Sequence, residues 1–406
     1  MFYILWALKN LYRNKKRTIE IILFIAIISM MFFLNSAFLS GSQVQMKETT
    51  RNFLGDISLD ARSEDYSLSE IKKHLESIKN NDVIESIMAE YSFGNVSVIS
   101  DNSYLSNSHL KGYSSNYFNR LNKSVEWIEG NNILSNSNQA IIERSMATNL
   151  SVSAGDKVTV ELKTREGAIN TAIYEIIGIF IGNKYIHKNS LFVNIKNARN
   201  LGMVKNDYIN HLKIFLKYPN NNLTLSNLVN NELKKFSNIS NINVWKWEQD
   251  SIQFFQIFKY SRIFFIVLIT LISIVLLIVL FFGIQNIFYL SFIKRANEIS
   301  VLSTFGMPFF KIYKTVLWET ISLFLPGLLL GFLFSFVVGN LLSSISLAQV
   351  SEEMVVVLGG PNLKFTFELS DFLWVSFFIF ISELYASFHS LRKYFKLEIR
   401  EMKSGI

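Results

Sequence analysis

The chain contains no cysteine. A disulfide framework, a thiolate metal site and a cysteine nucleophile are therefore excluded, and so is the lipid-bearing cysteine of a lipoprotein. It also has no G-x-x-x-x-G-K-[ST] run, so the usual phosphate loop for ATP is missing. The five histidines (His74, His109, His187, His211 and His389) show no metal-ligand spacing such as H-x-x-x-H, and a zinc site is not expected. Serine and asparagine are plentiful, yet no nucleophile has a recognisable base near it in sequence. The expectation is a chain that is not an enzyme and holds no cofactor or metal. Any work it does must draw its energy from a partner.

What the chain does have is apolar residues in blocks. Of 406 residues, 50% are hydrophobic and 14% aromatic, with a mean hydropathy of +0.26. This argues a membrane protein with a large polar domain. The net charge of +8 would suit a nucleic-acid binder, but Lys and Arg cluster beside the apolar blocks, as the positive-inside rule expects. Membrane lipid, and not nucleic acid, is the expected surface partner.

In chain order the pattern divides as follows. Residues 1–18 form a basic cytoplasmic N-terminus, with Lys9, Arg13, Lys15, Lys16 and Arg17. Residues 19–40 form a first span, too long for a signal-peptide core and without a clear small-x-small cleavage site. Residues 41–260 form a polar outer domain. Residues 261–290 form a second span, 291–314 a basic amphipathic helix at the membrane surface, and 315–347 a third span. Residues 348–371 make a short acidic outer loop, 372–391 a fourth span, and 392–406 a basic tail. The three pieces assigned to the cytoplasm carry fourteen Lys and Arg against Glu298, Glu398 and Glu401, while the short outer loop has one base and four acids. Four spans place both termini in the cytoplasm.

The outer domain shows globular patterning. Ser67 and Glu70 form a capping box before a helix with Leu68, Ile71, Leu75 and Ile78. Strands are predicted at Val96–Ile99, at Val158-x-Val160-x-Leu162, at Tyr174–Ile181, at Leu212–Tyr218 with alternation, and at Asn243–Trp247. A second helix is predicted over Leu223–Phe236. Strand, helix, strand at both ends around a β-rich middle suggests an α+β domain with an insertion. In the short outer loop, Gly359-Gly360-Pro361-Asn362 between two β-like runs suggests a small hairpin. In the third span, Gly327-x-x-x-Gly331 follows Pro326; the pair lets helices approach closely or merely tolerates the kink.

Between the second and third spans lies Asn286, then Lys294-Arg295, Glu298-Ile299, Leu302, Phe305 and Gly306, with Ile299, Leu302 and Phe305 at helical spacing. This run resembles the pattern N-x8-R-x-x-E-I-x-x-L-x-x-x-G of FtsX/MacB-type ABC transporter permeases. Ser300, Thr304 and Pro308 depart from it. A second likeness lies in the order Glu129-Gly130, Ala140-Ile141-Ile142, Ala147, Gly155-Asp156-Lys157-Val158 and Ile176-Ile177-Gly178-Ile179-Phe180, similar to MacB-type outer domains, with Trp245-x-Trp247-Glu248 before the second span. The run Ala7 to Thr18, with Arg13-Asn14-Lys15-Lys16-Arg17, resembles the start of lipoprotein-releasing (LolC/LolE) permeases. The resemblance covers nearly the whole chain.

It implies a four-span permease with a large α+β outer domain, in the cell inner membrane. Lys294, Arg295, Glu298, Ile299, Leu302 and Gly306 would form the helix that couples to a cytoplasmic ABC ATPase dimer, where ATP and Mg would bind. The mechanism would be mechanotransmission, the second permease a homologue or a second copy, and the cargo a lipoprotein released from the membrane. Export of peptides or antibiotics, or regulation of a cell-wall hydrolase, is the alternative within the class; a membrane-anchored sensor or adhesion protein is the alternative outside it. Among intramembrane polar residues, Glu383 reads as a packing lock or transport determinant, or as a structural inter-helix hydrogen bond. Glu319 is expected to snorkel to the inner surface. Asn35, Gln285 and Asn286 are expected to line the interface of the first and second spans.

Overall fold

The computed structural model describes residues 2–61, 65–79, 84–122, 125–131, 134, 138–182, 187–217, 231, 234, 242–246, 253–295, 299–301, 304–346, 354–355 and 358–404. In chain order its elements are α1 (Phe2–Arg13), α2 (Lys15–Leu54), β1 (Ile57–Ala61), β2 (Tyr66–Ser67), α3 (Leu68–Lys79), β3 (Ile84–Ile99), β4 (Tyr104–Tyr113), α4 (Ser115–Leu121), β5 (Glu126–Gly130), β6 (Gln139–Glu143), α5 (Arg144–Leu150), β7 (Lys157–Lys163), β8 (Ile169–Ile181), β9 (Ser190–Asn194), α6 (Ile195–Leu201), β10 (Tyr208–Ile209), β11 (His211–Leu216), β12 (Ile242–Lys246), α7 (Gln253–Lys294), α8 (Phe309–Ser343) and α9 (Leu369–Ser404). They form two compact units. One takes residues 1–43, 262–345 and 363–406; the other takes 44–261 and 346–362.

The first unit holds the four helices long and apolar enough to cross a membrane. All four outrun the twenty-odd residues that a bilayer core of about 30 Å requires: α2 has 40 residues, α7 has 42, α8 has 35 and α9 has 36. The spans read from hydropathy are inner portions of longer helices. Apolarity ends near Leu39, but Gln43, Gln45, Met46, Lys47 and Glu48 are sound helix formers. Helix α2 stops only at Gly55, whose φ of +75° no L-residue adopts cheaply. Ile25, Ile28, Phe33, Leu280, Ile284, Phe288, Leu323, Ile379 and Ala386 share one core. Aromatic contacts pin it, such as Phe33 stacked on Phe372 at 5.4 Å between ring centroids and Phe324 beside Phe380 at 5.0 Å.

The second unit is built on one mixed sheet in the order β12-β1-β11-β3-β4-β9-β6-β8-β5. The pairs β4/β9 and β6/β8 are parallel and the others antiparallel. Strand β7 pairs with both β3 and β8, which closes a ring β3–β4–β9–β6–β8–β7. Val96, Val98, Leu110, Ala140, Ile142, Val158, Val160, Leu162, Tyr174, Ile176, Leu191 and Val193, from all six strands, fill it together with Met146, Leu150 and Ala198 of α5 and α6. The two motif phrases of the sequence meet here. Gly155, at φ +101°, donates to Ile176 O at 2.7 Å, and Ile176 donates back to Asp156 O at 2.8 Å.

Several elements differ from the pattern reading. β3 has 16 residues and β8 has 13, longer than the runs predicted at their apolar cores, because each pairs with three neighbours: β3 with β11, β4 and β7, and β8 with β5, β6 and β7. β11 does not alternate: Leu212 to Leu216 are all buried, since Leu212, Ile214 and Leu216 enter one core cluster while Phe215 enters another and Lys213 meets Glu90 and Tyr113. The predicted hairpin near Gly359 is not formed among the described residues. Met354, Val355 and Leu358 are helical, Gly359 takes φ +78°, and an isolated bridge joins Ser346 to Asn362. This strip belongs to the second unit. Gln45 Nε2 donates to Asn362 O at 2.9 Å, Ser346 Oγ bonds the Glu126 carboxylate, and Val355 packs on Ile181. Helix α3 starts as the capping box requires, with the Glu70 N–H donating to Ser67 Oγ at 3.3 Å. The predicted helix Leu223–Phe236 lies almost wholly outside the described residues, as do Trp247 and Glu248.

Candidate functional site

The segment between α7 and α8 begins where α7 ends at Lys294. Ile299 N–H donates to Arg295 O at 3.0 Å and Phe305 N–H to Val301 O at 3.1 Å, and residues 299–301 and 304 are helical. Gly306 then takes φ +77° with open space around it. That left-handed residue ends the turn as a helix C′ position does, and Pro308 begins α8. The faces are not those the spacing suggested. Ile299 is buried in the four-helix core, and Arg295 also turns inward. Lys294 is exposed. Val301 and Phe305, one turn apart, point outward, with Phe305 85% exposed. On a helix, residues 299 and 305 lie about 120° apart, so one can be buried while the other faces out. Glu298 and Leu302 lie outside the described residues.

Arg295 meets Glu319 of α8, its Nη1 lying 3.0 Å from Oε2, with both side chains almost fully buried. The Asn10 amide of α1, with its oxygen toward the guanidinium, accepts from Nη2 at 2.6 Å and Nη1 at 3.2 Å. Arg17 of α2 adds its charge to the same carboxylate. Glu319 therefore does not snorkel. An inward arginine satisfies it, which a carboxylate at depth needs. The sequence reading missed Asn10 and Arg17. Their signal is the polar residue on the otherwise inward face of α1 and a base in the first turn of α2.

The other polar residues separate. Phe24 lies against Gly283, and Phe38 against Phe265 at 5.9 Å, which fixes the antiparallel register of α2 and α7. Asn35 falls eleven residues beyond Phe24, about 16 Å along the axis, so it does not share a layer with Gln285. Asn286 is exposed. The Gln285 backbone carbonyl accepts from Ser390 Oγ of α9 at 2.7 Å, while its side-chain Oε1 is buried with no hydrogen-bond partner among the described residues. Glu383 is fully buried and neither carboxyl oxygen has a hydrogen-bond partner among the described residues; the expected inter-helix hydrogen bond is not made there. Gly327 and Gly331 face α2. A Cβ at Gly331 would stand 2.6 Å from Ser29 Cβ and 2.7 Å from Ala26 O. Gly331→Leu is expected to lower stability by about 1–3 kcal/mol, read as a lower melting temperature in detergent beside an unchanged Leu330→Ile control.

The outer unit has its own buried ionic group. Lys213 Nζ lies 2.8 Å from Glu90 Oε2 and donates to Tyr113 Oη at 3.0 Å; Tyr113 stacks on Tyr117 at 3.6 Å. Burial alone would push the Glu90 carboxyl up, but Lys213, His211 and Lys111 outweigh it and hold it at about 2. Burial draws the Lys111 ammonium down to about 8. His187 is enclosed by Phe53, Phe180 and Phe192, and burial pushes its pKa down, leaving a neutral ring. Glu129, Arg144, Thr148 and Ser153 line an open surface cavity of about 400 Å³. No cluster of three or more His, Asp or Glu that could hold a metal occurs among the described residues.

Comparison with known proteins agrees with this architecture. Residues 261–399 match the FtsX-like permease C-terminal model, and residues 21–226, half of the chain, match the MacB-like periplasmic core domain. Among solved structures, the periplasmic region of MacB from Actinobacillus actinomycetemcomitans is similar at 12% identity, covering 49% of this chain and 92% of that one with a TM-score of 0.36. A domain assigned to a permease protein from Porphyromonas gingivalis is similar at 16% identity, covering 47% and 88%, with a TM-score of 0.30. No curated protein matches. With the four apolar helices and an α+β domain between the first and second, the chain belongs to the FtsX/MacB-type family of ABC transporter permeases.

Proposed function

We propose that this permease works by mechanotransmission in the inner membrane. A cytoplasmic ABC ATPase dimer would drive the segment between α7 and α8, and the outer unit would release lipoproteins from the membrane. The observation that carries the ATPase contact is the outward pair Val301 and Phe305 on a short helical turn stopped by Gly306. An exposed aromatic beside an aliphatic, held on a turn anchored by buried Ile299 and Arg295, suits an anchor for a pocket on a partner. ATP and Mg would bind on that ATPase. A second permease, a homologue or a second copy, would complete the assembly with both termini in the cytoplasm. The Arg13-Asn14-Lys15-Lys16-Arg17 run before the first span supports the lipoprotein-releasing branch.

The test is affinity capture of the detergent-solubilised chain, with co-purifying proteins identified by mass spectrometry. An ATPase with a phosphate loop, a second four-span chain and trapped lipoproteins is the expected result. An ATPase without lipoproteins keeps the transporter and removes the cargo assignment; no ATPase in several mild detergents overturns the reading. Val301→Ala/Phe305→Ala is expected to reduce ATPase recovery roughly tenfold or more while leaving the melting temperature unchanged. Unchanged recovery would remove the anchor role from this pair.

A further inference from the structure

We propose that the junction of α1 and α2 binds the phosphate of an anionic phospholipid headgroup. Asn14 is the single non-helical residue between the two helices. Around it Tyr12, Arg13, Asn14, Lys15, Lys16 and Arg17 line an open bowl of about 420 Å³. Four of these six side chains are cations and none is an acid; Glu20 is the sole acid in the first forty residues. Tyr12 is 73% exposed and Lys15 Nζ sits 4.2 Å from its ring centroid, so one wall is aromatic and carries a positive charge. Arg17, whose charge also acts on Glu319, has a buried Nε with no hydrogen-bond partner among the described residues. A phosphate oxygen is the acceptor that a guanidinium and neighbouring ammonium groups take best.

The setting selects a lipid over a free phosphate. Helix α1 is held by its inner face, where Ala7 and Asn10 are buried and Asn10 meets Arg295. Its outer face presents Leu5, Lys9, Tyr12 and Arg13 at positions i, i+4, i+7 and i+8. That mixture of apolar and basic groups fits the boundary between headgroups and acyl chains. The bowl opens at the start of a helix long and apolar enough to cross a bilayer, where clustered bases attract anionic lipid. A free phosphate would leave the exposed Leu5 without an apolar partner; a phospholipid satisfies both the charge and the apolar face.

The full chain in a neutral detergent is titrated with phosphatidylglycerol and, separately, phosphatidylcholine of the same acyl chains, and bound lipid is counted by native mass spectrometry. One phosphatidylglycerol should be retained per chain, with at least a tenfold preference over phosphatidylcholine. Lys15→Gln/Lys16→Gln should weaken binding roughly 25-fold, about fivefold per cation, whereas Lys15→Arg/Lys16→Arg should keep it. Arg392→Gln/Lys393→Gln removes equal charge from the tail and should also keep it. Equal retention of the two lipids overturns the proposal, as does wild-type binding by the Gln pair. An equal loss in the tail variant shows diffuse attraction and no site. Displacement by millimolar inorganic phosphate shows a free-anion site, and either result also overturns the proposal.

Discussion

Glu319→Ala is expected to destabilise the helical unit by about 3–5 kcal/mol, the usual effect of stranding a buried charge. Arg295 is buried and its Nη1 lies 3.0 Å from Glu319 Oε2; without the carboxylate, two guanidinium groups, those of Arg295 and Arg17, remain close together in a low-dielectric interior. Asn10 offers only an amide oxygen, too weak an acceptor to offset them. Thermal unfolding in detergent measures the loss. Arg295→Met/Glu319→Met should recover most of it, because an apolar pair of similar volume replaces a buried ion pair at little cost. A double variant as unstable as Glu319→Ala would show that the contribution lies in Asn10 or Arg17. A single variant as stable as wild type would show that the pair carries no energy.

Glu90→Gln should destabilise the outer unit by about 3 kcal/mol, since Lys213 and Lys111 then share a buried site without a carboxylate. The pH dependence has a definite sign. Glu90 titrates at about 2 in the folded state, against 4.5 for an ordinary glutamate. A carboxylate whose pKa is lowered by folding stabilises the fold fully above its unfolded pKa and loses that contribution as pH falls toward the folded one. The wild-type chain should therefore lose stability steeply between about pH 4.5 and pH 2, and Glu90→Gln should flatten that part of the curve. Denaturant unfolding of the full chain, followed by Tyr and Trp fluorescence across that range, gives both slopes. Parallel slopes would remove the role assigned to Glu90.

Some of this architecture is legible in the sequence because it rests on periodicity. The four apolar runs, the Val158-Val160-Leu162 alternation and the Ser67–Glu70 cap each depend on residues close together in the chain. Helix ends are less legible. Hydropathy falls at the membrane boundary, but helical hydrogen bonding does not, and α2 runs on to Gly55. The closed ring of strands is hidden for a different reason. It arises from β7 pairing with two partners, β3 and β8, and no local pattern records a second partner. The candidate site divides in the same way. The spacing Arg295-x-x-Glu298-Ile299 marks the segment, but which side faces inward is set by Glu319, twenty-four residues on from Arg295. Inward burial assigned Arg295 and Ile299 to anchoring and left Val301 and Phe305 on the outside.

The outer unit is assembled from two stretches of chain, 44–261 and 346–362, and this orders events at the ribosome. When residue 261 emerges, Gln45, Glu126 and Ile181 still lack Asn362, Ser346 and Val355. The intervening stretch 262–345 must be made first, which takes roughly 4–17 s at bacterial and eukaryotic translation rates. Through that interval the nascent domain shows an unfinished surface to whatever surrounds it. Completion of the outer domain therefore waits until α7 and α8 have both been synthesised.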